Sequence, residues 1–218
     1  VASFAAFYRL FVEAFRSGSE KYAVVISVVC VLTIFMGNFS ALKQESFKRL
    51  LAFSGITNAG FMLMAIVGLS GKTDSALFYY AFSYAISSIG AFAIAISVAK
   101  QTGSETIEAF RGLGHKHPLS AALLTLAMLS IAGIPPLSGF FAKYYLFSQT
   151  IQAGHVALAL FAIVNSIVAI YYYLKVVFVM FGRSDNVIEY KPQPVYLAVA
   201  AIAVAISVLA GIMPSWFM

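Results

Sequence analysis

One lysine stands where a charge is expensive. Lys143 follows Gly139-Phe140-Phe141-Ala142 and precedes Tyr144-Tyr145-Leu146-Phe147. A charged lysine near the centre of a bilayer costs at least about 2.5–3.5 kcal/mol, and such residues face a bundle interior and mark ion or proton pathways. Desolvation disfavours the charged form of an amine, so a lysine in this setting can both take and release a proton. The alternative is a stem that runs along apolar surface to bring the amine to an interface. The buried or interfacial turn of residues 144–147 weighs against it.

A second apolar segment carries Ser83, Tyr84, Ser87 and Ser88. Residues 84, 87 and 88 share one helix face. Such hydroxyls either let helices pack closely or hold ordered water for proton transfer, and spacing leaves both open. Thr57 and Asn58, then Asn165 and Ser166, are weaker signals of the same kind. Lys175 follows Tyr171-Tyr172-Tyr173-Leu174. The tyrosines read as an interfacial belt, so Lys175 snorkels in the first reading and serves the mouth of a proton path in the second. Arg9 and Glu13, spaced i, i+4, can pair on one face; the nearby loop favours a structural pair over a relay. Lys48-Arg49 reads as a topology anchor. His115 and His117 lack the spacing of a common zinc site and read as interfacial, and neither they nor His155 forms a haem pair. Cys30, the single cysteine, lies in an apolar run and reads as a small hydrophobe. Neither a Walker motif, a dinucleotide fingerprint nor a cysteine cluster is present, so no hydride or electron transfer is expected of this chain itself.

The elements that position these residues are membrane spans. The 218 residues are 61% hydrophobic and 10% charged, with mean hydropathy +0.91; soluble domains average about 45–50% apolar and about 25% charged. The net charge of +6 would suggest nucleic acid in a soluble protein. Here the basic residues sit mainly in short loops between apolar runs, so no nucleic acid partner is expected. Apolar stretches cover roughly residues 22–38, 50–69, 75–99, 119–151, 155–181 and 195–217. Each must be a helix, because lipid satisfies no backbone polar group; the alternation of a β-barrel is absent. The expected fold is an all-α polytopic transmembrane helix bundle, one domain over 1–218, with about six full spans and a truncated first helix. The first apolar run, residues 1–15, is shorter than the ~20 residues a span needs. With Val1 in place of Met and no basic segment before it, the chain is expected to begin partway through a helix of a longer protein rather than with a signal peptide.

The 119–151 stretch is interrupted by Gly133-Ile134-Pro135-Pro136-Leu137-Ser138-Gly139. Paired prolines remove two donors and the glycines loosen the chain. A broken helix, two halves joined by unwound backbone at membrane depth, is the simplest outcome; an ordinary proline kink is the other. Lysine and arginine counting puts Lys43, Lys48, Arg49, then Lys100, Arg111, Lys116, then Arg183 and Lys191 on one side, expected to be cytoplasmic. The opposite loops hold Lys72, with Arg16 and Lys21 as mild exceptions, and Trp216 at the C-terminus falls outside.

Several blocks also carry a resemblance: Gly37-Asn38-Phe39-Ser40-Ala41-Leu42-Lys43-Gln44, Phe47-Lys48-Arg49-Leu50-Leu51-Ala52-Phe53-Ser54-Gly55-Ile56, Arg111-Gly112-Leu113-Gly114, and Leu129-Ser130-Ile131-Ala132 running through the break to Lys143. Their order and spacing resemble the antiporter-like, proton-translocating subunits of NADH–quinone oxidoreductase (respiratory complex I), over essentially the whole chain and as the C-terminal half of that family. Within the family the pattern is most similar to the branch called subunit N, or subunit 2 in organelles. The L and M branches carry histidines and a lysine on the helix matching 75–99, where this chain has Tyr84 and Ser88; Ile89-Gly90-Ala91-Phe92 resembles the N pattern. Stand-alone cation/proton antiporter subunits resemble L and M, so the same departure counts against them.

The resemblance implies that Lys143 ends a half-channel open to the outside. Helices before Val1 would supply a second half-channel, with a glutamate–lysine pair and a central lysine. It also implies a translocase subunit in a bacterial inner membrane, less so an organelle inner or thylakoid membrane. The partners implied are the other membrane-arm subunits, the lipid bilayer and protons. Quinone, FMN and iron–sulfur clusters are expected in partner subunits and no cofactor in this chain. Tyr84, Ser88 and Lys175 are the further candidates for the proton path. The rival readings are a monovalent cation/proton antiporter or a related hydrogenase or ferredoxin-linked complex, and a subunit that only holds a membrane arm together. An antiporter would want acidic ligands at mid-span, and the clear mid-span positions are neither Asp nor Glu.

Overall fold

The computed structural model describes residues 2–13, 19–68, 73–183 and 190–214. The apolar runs are helices: α1 (Ala2–Glu13), α2 (Ser19–Leu42), α3 (Phe47–Val67), α4 (Thr73–Thr102), the short α5 (Leu113–Lys116), α6 (Pro118–Ala132), α7 (Ser138–Gln152), α8 (Val156–Phe181) and α9 (Pro194–Ile212). A 3-10 turn, Ile107–Phe110, lies between α4 and α5. Among the described residues, α2, α3, α4, α8 and α9 are long and apolar enough to cross a membrane. Helices α6 and α7 have 15 residues each. At 1.5 Å per residue neither reaches across a hydrocarbon core of ~30 Å, and together they do. They form the interrupted span, so the all-α bundle with a short first helix and one broken span is what the chain adopts.

Local sequence sets the helix ends. Ser46 caps α3, its hydroxyl accepting from the Arg49 amide, which satisfies one of the free donors of a first turn. Pro118 and Pro194 open α6 and α9, where a missing N–H costs nothing. Between the elements sit two buried clusters. One, nearer the basic loops, gathers Phe47, Leu50, Phe110, Met128, Ala132, Tyr172, Tyr173 and Met180. The other gathers Ile34, Phe61, Met64, Tyr79, Tyr80, Ala142, Leu146 and Ala159. Helix α6 belongs to the first and α7 to the second, so the break falls at the seam. Large apolar side chains also cover the outside: Val25, Leu32 and Met36 on α2, Leu160, Ile167 and Phe178 on α8. Lipid permits such a surface; water does not.

The basic loops are stitched together at one end. Phe47 N–H donates to Glu105 O at 2.8 Å and Ile107 N–H to Glu45 O at 2.8 Å. Gln101 exchanges bonds of 2.6 Å with the Lys191 backbone, and Lys100 Nζ donates to Tyr196 OH at 2.7 Å. One of the expected interfacial features is corrected. Of the three tyrosines before Lys175 only Tyr171 faces outward; Tyr172 and Tyr173 are buried. Consecutive residues on a helix point about 100° apart, so a tyrosine run cannot all meet an interface. Arg16, Lys72 and Trp216, and the side chains of Glu13 and Lys21, lie outside the described residues.

Candidate functional site

The site is the seam itself. Helix α6 ends with Gly133 in the left-handed region, φ 87°. Gly133 N–H donates to Ser130 O at 3.0 Å and Ile134 N–H to Leu129 O at 3.0 Å, the paired bonds that close a helix C-terminus on a glycine. The Ala132 carbonyl is left without a helical partner. Lys143, five residues into α7, reaches back and donates to Ala132 O at 2.8 Å. Side chains on a helix lean toward its N-terminus, which is why a lysine so far into α7 can cap the end of α6. A cation there also meets the negative end of the α6 dipole.

Lys143 is buried, 7% exposed. Its Nζ donates a second bond to Ser166 Oγ on α8 at 2.9 Å and lies 5.6 Å from the centroid of the Phe61 ring, within cation–π range. All these partners are neutral. Lys48–Glu105 and Arg111–Glu108 are ion pairs at the loop end, and among the described residues no carboxylate pairs with Lys143.

On one side of the amine, a cavity of about 10 Å³ is lined by Asn58, Tyr80, Ser83, Tyr84, Ser87, Ser130 and Lys143. That is room for about one water with polar partners. On the other side a groove of about 650 Å³ between α7 and α8 runs over Phe140, Tyr144, Phe147, Ser166 and Ile167, with Lys143 at its floor.

Two hydrogen-bonded clusters flank the lysine. The first is a file of buried serines: Ser87 Oγ donates to Ser130 Oγ, Ser130 meets Ser207, Ser207 meets Ser138, and Ser138 meets Ser83, each at 2.8 Å. The second centres on Asn38. Its Oδ1 accepts from Thr57 Oγ1 at 3.2 Å and Tyr172 OH at 3.0 Å, and its Nδ2 donates to Asn165 O at 2.8 Å. Nearby, Tyr80 OH donates to Asn58 Oδ1 at 2.6 Å.

The structure brings some sequence candidates together and separates others. Tyr84 shares the cavity wall with Lys143 and has Ser88 one turn on along α4. Ser88 itself is half-buried and off the cavity lining, while Ser83 and Ser87 turn to the break. Lys175 is nine residues beyond Ser166 on α8, about 13 Å along the axis. It is partly exposed and close enough to Glu108 to favour the carboxylate. His115 Nε2 meets Phe181 O at 3.0 Å and His117 packs edge-on against Tyr190; both are loop tethers. Cys30 is buried in α2. Among the described residues no three His, Cys, Asp or Glu side chains group to hold a metal.

Sequence reasoning missed Ser207, Ser130 and Ser138 as partners of one another, and Asn38 as a hub. One signal for Ser207 was available: it is the one serine in an otherwise apolar α9.

Known proteins resemble the chain in sequence and in fold. The profile of the family described as NADH:quinone oxidoreductase/Mrp antiporter, TM, matches residues 1–169. NADH-quinone oxidoreductase subunit N of Flavobacterium johnsoniae is 41% identical over 198 residues, covering 90% of this chain and 42% of that protein. The protein of the same name from Trichlorobacter lovleyi is 38% identical over 98% of this chain and 45% of its own length. The chain thus spans less than half the length of these curated relatives. A chain of respiratory complex I from Thermus thermophilus with bound aureothin superposes at TM-score 0.76 and 32% identity, over 88% of this chain and 44% of that one. A chain of the Mrp complex from Dietzia shares the fold, at TM-score 0.87 and 22% identity over 98% of this chain and 48% of that one.

Proposed function

The chain belongs to the NADH:quinone oxidoreductase/Mrp antiporter transmembrane family, and from that premise we propose that it is the C-terminal, proton-conducting part of a subunit of the N branch of NADH–quinone oxidoreductase. The observation that carries this reading is Lys143. It is a buried amine that bridges the two halves of a broken helix and has only neutral partners. Such an amine can exchange a proton, because no carboxylate among the described residues pairs with it. Partner subunits carry the electrons from NADH to quinone, and their FMN, iron–sulfur and quinone chemistry lies outside this chain. A proton arriving from the upstream half-channel rests on Lys143. A positive charge appearing in a neighbouring site drives it outward, since Coulomb interactions act strongly at low dielectric. The cavity beside Lys143 supplies the water step and Tyr84 its wall. Ser88, through Tyr84, and Lys175, at the loop end, are lesser members of the path.

The same reading puts the stitched basic loops in the cytoplasm of a bacterial cell and the subunit in its plasma membrane, against other membrane-arm subunits.

The experiment is proton uptake into inverted membrane vesicles, driven by NADH, with Lys143→Ala in the full-length subunit and with assembly and quinone reduction followed in parallel. Uptake is expected to collapse while assembly survives. Normal uptake would remove Lys143 from the path. Replacing sodium by potassium in the same assay separates this reading from a monovalent cation/proton antiporter, which would respond.

A further inference from the structure

The serine file touches the helix break at both of its ends, and its course decides what it is for. It leaves α4 at Ser87, crosses to α6 at Ser130, to α9 at Ser207, to α7 at Ser138, and returns to α4 at Ser83. Ser83 and Ser87 are one turn apart, so a proton handed along the file would end about 6 Å from where it began. A conduit that returns to its source moves nothing across a membrane. The file is a clasp.

We propose that Ser207 of α9 is a positioning residue for Lys143, its hydroxyl clasping the end of α6 to the start of α7 so that the Ala132 carbonyl stays within reach of the amine. This rests on the reading of Lys143 as the proton-carrying group.

The geometry is specific to Ser207. A hydroxyl offers one hydrogen and two acceptor sites, and that of Ser207 makes bonds of 2.8 Å to Ser130 on one half-helix and Ser138 on the other. Ala132 is two residues beyond the first anchor and Lys143 five beyond the second, so fixing the anchors fixes the carbonyl against the amine. All the serines of the file are buried, and the two hydroxyls at the centre of the clasp, Ser207 and Ser138, lie off the water-sized cavity beside Lys143. Helix α9 is itself held against the break. Tyr79 OH on α4 donates to Ala210 O at 2.8 Å, and a Cβ on Gly211 would lie 2.2 Å from Pro136 O, so backbone meets backbone there. The family match ends at residue 169, before α9 begins, so this assigns a role to a part of the chain beyond it.

The test uses the full-length subunit in the assembled membrane complex at rest, without NADH. The rate at which a membrane-permeant N-hydroxysuccinimide ester acylates Lys143 is read by mass spectrometry. Ser207→Ala is expected to acylate several-fold faster, because the amine leaves the Ala132 carbonyl, and Ser138→Ala should move the same way. Ser207→Thr keeps the hydroxyl and is expected to restore the wild-type rate. Ser97→Ala, a buried serine of α4 that meets Tyr190 at the loop end, is expected to leave it unchanged. Protons taken up per NADH should fall in Ser207→Ala and Ser138→Ala, a ratio that fewer assembled complexes alone would not lower. Wild-type acylation in Ser207→Ala and Ser138→Ala overturns the clasp, and so does a faster rate that Ser97→Ala reproduces. If Ser207→Ala fails to assemble, Ser138→Ala carries the test. Acylation is read without turnover, so its outcome stands apart from whether Lys143→Ala stops pumping.

Discussion

Lys143 and Lys48 are the same residue in opposite settings. Lys48 lies at the stitched loop end, its side chain 67% exposed, and pairs with Glu105 at 3.2 Å. Lys143 is buried in the seam and has a carbonyl, a hydroxyl and an aromatic ring for company. The exposed amine has an anion it scarcely needs, since water already solvates it. Among the described residues the buried amine has no anion beside it. An ion pair at the surface is therefore stitching, whereas the buried amine is held by a carbonyl and a hydroxyl that carry no charge. Partner type, more than charge count, separates the seam of the molecule from its loop end.

The hardest test of that contrast is Lys143→Met against Lys48→Met. Near-complete loss of NADH-driven proton uptake is expected from the first and none from the second. Lys143→Met should nonetheless assemble, because methionine is of similar length and removes a side chain whose charge is costly at membrane depth. If both variants pump normally, the contrast is only one of burial.

Next in size is Asn38→Ala, which removes the acceptor shared by the buried hydroxyls of Thr57 and Tyr172; Thr57 keeps a longer bond of 3.4 Å to Phe53 O. A buried donor left without its partner costs about 1–3 kcal/mol, so the midpoint of thermal unfolding in detergent should fall, chiefly through Tyr172. An unchanged midpoint would mean that the polar groups around the seam are wet and not a fixed network.

Gly139→Ala probes the closeness of the half-helices. A Cβ there would sit 1.8 Å from Ser130 O, backbone that cannot move aside. A cost of about 1–3 kcal/mol is expected, with loss of coupling. Tolerance of alanine would show the seam to be looser than the serine file implies.

The loop end should give the smallest effects. Lys48→Met is expected to cost under about 1 kcal/mol and less at high salt. At Glu108, the bidentate contact with Arg111, 2.6 and 2.8 Å, holds the carboxyl below the usual carboxylate range. A group with a lowered folded value adds stability above the unfolded pKa of ~4.3 and loses it as pH falls through the folded value. The wild type and Glu108→Gln should thus differ slightly at neutral pH and converge in acid. A gap that widens in acid would reverse the sign.

Much of the architecture was legible in the chain. Lipid leaves helices as the one way to satisfy backbone in a long apolar run, so the spans could be counted from hydropathy. The paired prolines between Gly133 and Gly139 marked the break, and Lys143 stood out because charge inside an apolar run is costly wherever the fold puts it. Basic loops fell to one end for the same electrostatic reason. The sequence could not say which hydroxyls meet. Ser130, Ser138 and Ser207 come from three helices, and Tyr172 and Tyr173 looked interfacial until packing turned them inward. Cost of burial is a property of each residue and its neighbours in the chain, so the sequence by itself determined that this is a membrane bundle with a costly lysine after a broken helix. Partnership depends on distances of about 3 Å between helices remote in sequence. Only the tertiary structure could decide that the lysine caps Ala132, that Asn38 ties α2 to α3 and α8, and that a single serine of α9 spans the break.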